Sequence, residues 1–178
     1  QHCRSLGLTG VHDMGLTPLE LKVLQDMEAQ EELDFRVTVY LFGSQEELEP
    51  YLHMPRTQDT LVQVAGVKLF VDGALGSHGA LLLEAYHDRP GYHGLLLTPP
   101  DELNKRARHI HQAGYQIAIH AIGDHANQLA LDAIAHAQGE QPGRGHRVEH
   151  AQILDETSLK RFRRLRAVAS MQPIHAAQ

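Results

Sequence analysis

Three apolar segments of strand length, VQVAGVKLFVDG, YQIAIHAIGD and HRVEHAQ, each carry a side chain that can serve at a metal centre: Lys68, His120 and His150. The interval from His120 to His150 is about that of one strand–helix–strand unit. A repeat of such units brings the ends of successive parallel strands to one edge of a sheet, where the active sites of α/β folds gather. Two imidazoles and a lysine converging there point to a metallohydrolase rather than a generic α/β domain.

Each of these residues also has a plainer reading. Side chains alternate along a strand, so Gly66, Lys68, Phe70 and Asp72 share a face. A lysine buried on that face needs a partner, and desolvation would lower its pKa enough to leave some neutral amine. Lys68 is therefore either paired with a carboxylate such as Asp72, or a reactive or derivatised lysine at a metal centre. A lone histidine placed like His120 is by default a core residue bonded to a backbone carbonyl. The recurrence of that placement at His150 favours metal ligation, because neutral imidazole is the commonest protein ligand for such ions.

Other combinations fail on geometry. His109 and His111 spell an HxH pattern late in a helical segment, where residues two apart do not face each other, so a histidine-rich helix end is expected. His146 and His150 stand about four strand rises apart, too far for one ion. Asp124 suits a helix N-cap better than a catalytic acid. By alternation Arg147 and Glu149 lie on the face opposite His150 and are expected to pair, with Arg147 also a candidate substrate contact from a strand end. His12 and Asp13, at the end of the first strand, and Asp124 are candidates to support the site from outside the ligand set. No serine-hydrolase elbow occurs, and Cys3 lies in no motif that would make it a nucleophile.

The elements that must position these groups are legible. Six apolar segments read as strands, at about 10–14, 35–42, 64–72, 116–121, 147–152 and 167–172. Helix-period segments lie between them. Thr17 with Glu20, and Ser44 with Glu47, spell capping boxes, the first followed by a proline at the first helical position. Asp101, Asp124 and Asp155 are further candidate caps. Strand then helix, repeated, predicts a mainly parallel sheet. The connection from Gly73 to Pro100 breaks this rhythm, being long and rich in Gly, Pro, His and Tyr. Loops of this kind at the carboxyl end of a strand are more often functional than idle. It is expected to close over a substrate, with Gly73, Gly76 and Gly79 allowing tight turns and Asp72 and His78 as candidate substrate contacts.

Two architectures compete. A doubly wound sheet would carry a glycine-rich phosphate turn after its first strand, but VHDMG stands there and no GxGxxG occurs in the chain. A (β/α)8 barrel runs to about 250 residues, so six units within 178 residues make most of one. The expected fold is an α/β TIM barrel incomplete at both ends, about strands 2 to 7 with their helices, as one domain over residues 1–178.

Composition excludes several partners. The net charge of −6 argues against nucleic acid, and the run of Arg161, Arg163, Arg164 and Arg166 reads as a solvated helix face. No stretch approaches the ~20 apolar residues of a membrane span. The single cysteine rules out an internal disulfide framework and fits a reducing, cytoplasmic compartment. Fourteen histidines are an outlier, but several, such as His53, His87 and His136, fall in loops or on polar helix faces, so position and not number decides. Opening at Gln1 just before one strand and stopping just after another, the chain reads as an excerpt of a longer protein.

The stretches GVHDMG, GVKLFVDGALGS, IHAIGDHAN, HRVEHAQ and VASMQPIHA, in that order, resemble the amidohydrolase superfamily. Within it they are most similar to amidohydrolase family 3, the branch of N-substituted formamide deformylase-like proteins. The resemblance spans nearly the whole chain, with His78 and His125 standing where that pattern has arginine. It implies a barrel metallohydrolase in which a carboxylated strand-four lysine bridges two metals while histidines of strands five and six bind one of them. Lys68, His120 and His150 match those positions. It further implies a divalent cofactor, zinc, as one or two ions, and a metal-activated water attacking an amide or other non-peptide C–N bond of a small molecule. By the same resemblance, the family's HxH pair would precede Gln1, and the catalytic strand-eight aspartate would follow Gln178. The expectation is then half a site: a parent amide hydrolase, and a piece that alone binds metal weakly, lacks activity and self-associates through open barrel edges. The alternatives are a different metal-dependent barrel enzyme, a deaminase or lactonase, and a non-catalytic fragment or binding module.

Overall fold

A computed structural model describes residues 2–54, 60–139 and 143–176. Six strands form where apolar segments predict them: β1 (Gly10–Leu16), β2 (Arg36–Leu41), β3 (Val62–Phe70), β4 (Gln116–Ala121), β5 (Arg147–His150) and β6 (Val168–Ser170). The helices are α1 (His2–Ser5), α2 (Pro18–Ala29), α3 (Gln45–Leu52), α4 (Pro100–Gln112), α5 (Asp124–Gln138) and α6 (Glu156–Leu165). Where composition suggests one domain, backbone contacts divide the chain into two compact units, Gln1–Lys68 and Leu69–Gln178. Among the described residues no helix is long and apolar enough to cross a membrane.

In the first unit β1 pairs with β2 and β2 with β3, all parallel. Its core is built on Leu21, Val39, Leu41 and Val67, each almost wholly buried. Both predicted capping boxes form. The Glu20 carboxylate accepts from the Thr17 backbone N–H at 2.7 Å and the Glu47 carboxylate from that of Ser44 at 2.7 Å, while each cap hydroxyl accepts in return from its partner's N–H. A cap of this kind contributes about 1 kcal/mol. The same bonds hold both carboxyls below the ordinary glutamate value.

In the second unit β4 pairs with β5 and β5 with β6, again parallel. The Val71 N–H donates to the His120 carbonyl at 3.0 Å, which sets the chain just past β3 beside β4. Ile117, Ala118 and Ile119 are wholly buried, as a parallel strand covered on both faces requires. Asp155 caps α6 as expected, accepting from Ser158 N–H at 2.6 Å. Asp101 does not cap α4: the helix begins at Pro100 with Pro99 as its cap residue, and Asp101 sits in the first turn, where its charge complements the helix dipole.

The long connection after β3 is a folded element. Gly73 and Gly79 pack backbone to backbone, so that a Cβ on Gly79 would lie 3.0 Å from the Ala74 nitrogen, whereas Gly76 faces open space. Leu82 N–H bonds the His93 carbonyl, Tyr86 N–H that of Tyr92, and Leu95 N–H that of Gly79, joining the two limbs of the loop. Gly94 takes φ +102 and presses so close that a Cβ there would overlap the Ala80 carbonyl oxygen at 2.0 Å. Only glycine meets both demands.

Candidate metal centre

His120 and His150 come together at the carboxyl ends of β4 and β5. Their rings meet edge to face, with centroids 4.6 Å apart and planes at 71°, and Phe70 flanks His120 at 5.3 Å. Strand register alone would not produce this. His120 stands beside Glu149 and Ala121 beside His150, so regular alternation sends His150 to the face of Ala121, away from His120. The chain leaves strand geometry at that point. His150 takes φ +74 and Ala151 φ +43, two successive non-glycine residues in the left-handed region, where such backbone costs of order 1–3 kcal/mol each and clusters at functional sites. That departure brings the imidazole round to its partner.

One nitrogen of each ring faces an acceptor. His150 Nδ1 lies 2.9 Å from Gln172 Oε1, which fixes Nδ1 as the donor and Nε2 as the lone-pair nitrogen. His120 Nε2 lies 3.4 Å from Asp72 Oδ1, an electrostatic contact with no hydrogen bond between them. Histidines that bind metal commonly have the second nitrogen held by a carboxylate or amide, as Gln172 holds His150.

Asp72 is wholly buried, and its carboxylate accepts from Leu81 N–H at 2.9 Å, Gly123 N–H at 2.8 Å and Ile122 N–H at 3.0 Å. Burial raises its pKa, and the backbone donors pull it back. Asp72, expected as a substrate contact, clamps the long loop to the end of β4. Asp124 is likewise not the cap of α5, since Gly123 holds that position. Its Oδ1 accepts instead from Leu83 N–H at 2.9 Å, a second tie to the loop. Gly123 itself lies so near the loop that a Cβ would fall 1.9 Å from the Leu81 carbonyl oxygen.

The remaining expected residues have defined surroundings. Lys68 is buried at 4% exposure in β3 and closes the first unit. Arg147 pairs with Glu149 as the alternation suggests, Nε to Oε1 at 2.7 Å, and its Nη2 reaches Ser170 Oγ at 2.8 Å, which commits it to its own sheet. His78, at φ +59, bonds Asp88 Oδ2 at 2.7 Å and stacks edge-on against Tyr86, all within the loop. His12 and Asp13 are exposed on β1 in the first unit, and burial followed by the charge of Glu20 raises the Asp13 carboxyl. Among the described residues no group of three or more His, Cys, Asp or Glu can hold an ion. His120 and His150 are two imidazoles of the kind that bind divalent ions, short of a complete ligand set.

Two features escaped the sequence. Gln172, just past β6, partners His150, and its strand-final position is the same cue that marked the histidines. His111 and His146 form a buried pair, Nδ1 to Nε2 at 2.9 Å, with His146 Nδ1 accepting from Ile117 N–H at 3.1 Å. The cue was present: His111 falls eight residues after Leu103 and four after Ala107, on the buried stripe of α4.

Parallel strands with intervening helices, and two imidazoles at adjacent strand ends, place the chain in the α/β barrel class of folds. The expected fold is borne out by solved structures. An uncharacterized metal-dependent hydrolase from Pyrococcus furiosus aligns over 97% of this chain and 36% of its own at TM-score 0.86 and 36% identity. One from Pyrococcus horikoshii aligns over 97% and 35% at TM-score 0.87 and 34% identity. All residues, 1–178, match the model of the amidohydrolase family, and the chain belongs to that family. The Bacillus subtilis protein named Putative amidohydrolase YtcJ is 31% identical over 96% of the chain and 33% of its own length. Protein LONG AFTER FAR-RED 3 of Arabidopsis thaliana is 45% identical over 63% of the chain and 20% of its own. The chain therefore spans a third or less of the length of these two relatives.

Proposed function

We propose that the full-length protein is a metal-dependent hydrolase of small amides or other non-peptide C–N bonds, with Lys68, His120 and His150 among the ligands of a divalent ion, zinc. The convergence of His120 and His150 at adjacent strand ends carries this reading. Family membership supports it. When bound, such an ion supplies Lewis-acid polarisation of an acyl oxygen and lowers the pKa of water. The chain's own residues do the rest: Gln172 orients His150, and the loop from Gly73 to Pro100, tied down through Asp72 and Asp124, shapes the substrate side. Lys68, buried and on the family's lysine position, is proposed to be carboxylated. Within the family we assign the protein to the N-substituted formamide deformylase-like branch.

The test uses the full-length protein. Metal analysis should find one or two zinc ions per chain, and turnover should be measured on formamides, N-acyl amino acids, a lactone and an aminated heterocycle. Hydrolysis of formamides or N-acyl amino acids supports the proposal. Turnover confined to the lactone or the heterocycle would replace it with a lactonase or deaminase. Metal-free protein without turnover would leave a binding module.

A further inference from the structure

At the amino ends of β4 and β5, away from His120 and His150, a chain of hydrogen bonds fixes where one proton points. The Ile117 N–H donates to His146 Nδ1 at 3.1 Å, so the proton of that neutral ring sits on Nε2. His146 Nε2 lies 2.9 Å from His111 Nδ1, which must therefore accept. Burial first, then the charge of Arg144, lowers the pKa of His111, so at neutral pH its ring is uncharged and carries its one proton on Nε2. Among the described residues nothing accepts from that Nε2–H. His111 is only 6% exposed, and an unanswered donor on so buried a ring is costly. The ring lines a cavity of about 390 Å³, and Nε2 is the polar atom it has left to offer there.

Two guanidiniums, Arg108 and Arg144, line the same cavity, and among the described residues no carboxylate does. Arg108 stands three residues before His111 on α4 and so shares its face. Arg144 comes from the turn before β5, and its Nη1 donates to the Gly114 carbonyl at 3.4 Å, which leans it over the end of α4. Cations near the carboxyl end of a helix answer its dipole. That role accounts for the arginines and leaves the buried His111 donor unexplained. The dipole opposes an anion with about half a unit of charge per helix, against two whole charges from the guanidiniums. We propose that this cavity binds a small oxyanion, a phosphate or a carboxylate, at a site separate from the metal centre. The two guanidiniums take its oxygens as planar forks, and the His111 Nε2–H supplies an inner donor whose direction His146 holds.

The test uses full-length protein freed of metal, so that an added anion finds no ion at the other end of the strands. Nitrogen NMR of labelled imidazoles should show His111 with its proton on Nε2. Titration with inorganic phosphate or with acetate should shift that resonance saturably. Arg108→Gln and Arg144→Gln, both at exposed positions, should each weaken binding about 10-fold or more, while His150→Asn leaves it unchanged. Tighter binding of phosphate identifies a phosphoryl ligand, and tighter binding of acetate a carboxylate. A His111 proton on Nδ1 in the unaltered protein removes the inner donor and overturns the proposal, whether or not the variants fold. So does a shift that rises linearly with either anion and is the same in both arginine variants. Binding lost in His150→Asn and kept in the arginine variants would move the anion to the other end of the strands and overturn it as well.

Discussion

A pair of imidazoles lies at each end of strands β4 and β5, and the two pairs are built differently. At the amino ends His146 has no exposure, and both its ring nitrogens are engaged, one by the Ile117 N–H and the other by His111. Burial, then His111 and Arg144, lower its pKa to about 4, and burial followed by Arg144 lowers that of His111. At the carboxyl ends His120 and His150 are part-exposed, and each has an oxygen of another side chain beside one nitrogen. A histidine pair is a structural joint when its nitrogens close on each other and the backbone. It is a candidate ligand pair when the rings meet, part-exposed, at the strand ends where active sites gather.

The sharpest way to break the contrast is to remove one histidine from each end of the full-length protein. His150→Asn should reduce zinc content and lower turnover by more than about 100-fold, with a modest change in unfolding free energy. His146→Ala should do the opposite. It leaves the buried Ile117 N–H without its acceptor and opens a cavity, at a cost of about 2–4 kcal/mol in denaturant titration, while zinc per folded chain holds. If both variants lose stability equally and keep their metal, the carboxyl-end pair is a joint as well.

The pH dependence separates the ends next. His146 is neutral in the folded chain down to about pH 4, whereas in the unfolded chain its pKa is near 6.5. Between those values the unfolded state binds more protons, so stability is full above about pH 6.5 and declines as pH falls toward 4, by up to ~3 kcal/mol from this residue. Comparing the unfolding free energies of the unaltered protein and His146→Ala across that window isolates the contribution. A flat difference between the two would contradict the buried neutral imidazole.

The smallest effect is expected in the loop. The His78 pair with Asp88 is exposed on the carboxylate side, so His78→Gln should cost no more than about 1 kcal/mol. If the loop contacts substrate, the same change should alter the ratio of kcat/KM between a formamide and an N-acyl amino acid. Equal losses in melting temperature and activity, with that ratio constant, would make His78 a packing residue only.

These contrasts also mark what the sequence could convey. A central parallel strand buries both faces, so β4 announced itself as an apolar run. Thr17, Ser44 and Asp155 announced helix starts because a cap is a local bargain between neighbours. Asp101 and Asp124 misled by being acidic near a helix start: Asp101 lies within the first turn of α4, and Asp124 turns its oxygen to a loop residue 41 positions away. The meeting of His120 and His150 was expected from their strand-final placement, but nothing in HRVEHAQ signals the two non-glycine residues at positive φ that accompany it. The bond from His111 to His146 spans 35 positions. Although each residue bore a cue of burial, their meeting depends on how α4 lies against β5.

The empty space at Gly123 reaches beyond this chain. Loop and strand end fit there by subtraction, one backbone lying where a side chain would be. A graft of the segment from Gly73 to Pro100 onto another scaffold would therefore have to carry more than its own residues. The recipient must offer a glycine at the turn into the helix after its next strand, and a carboxylate two residues beyond the strand that launches the loop. Without both, the graft would have nowhere to land. Exchange of this loop between proteins is thus restricted to scaffolds already notched to receive it.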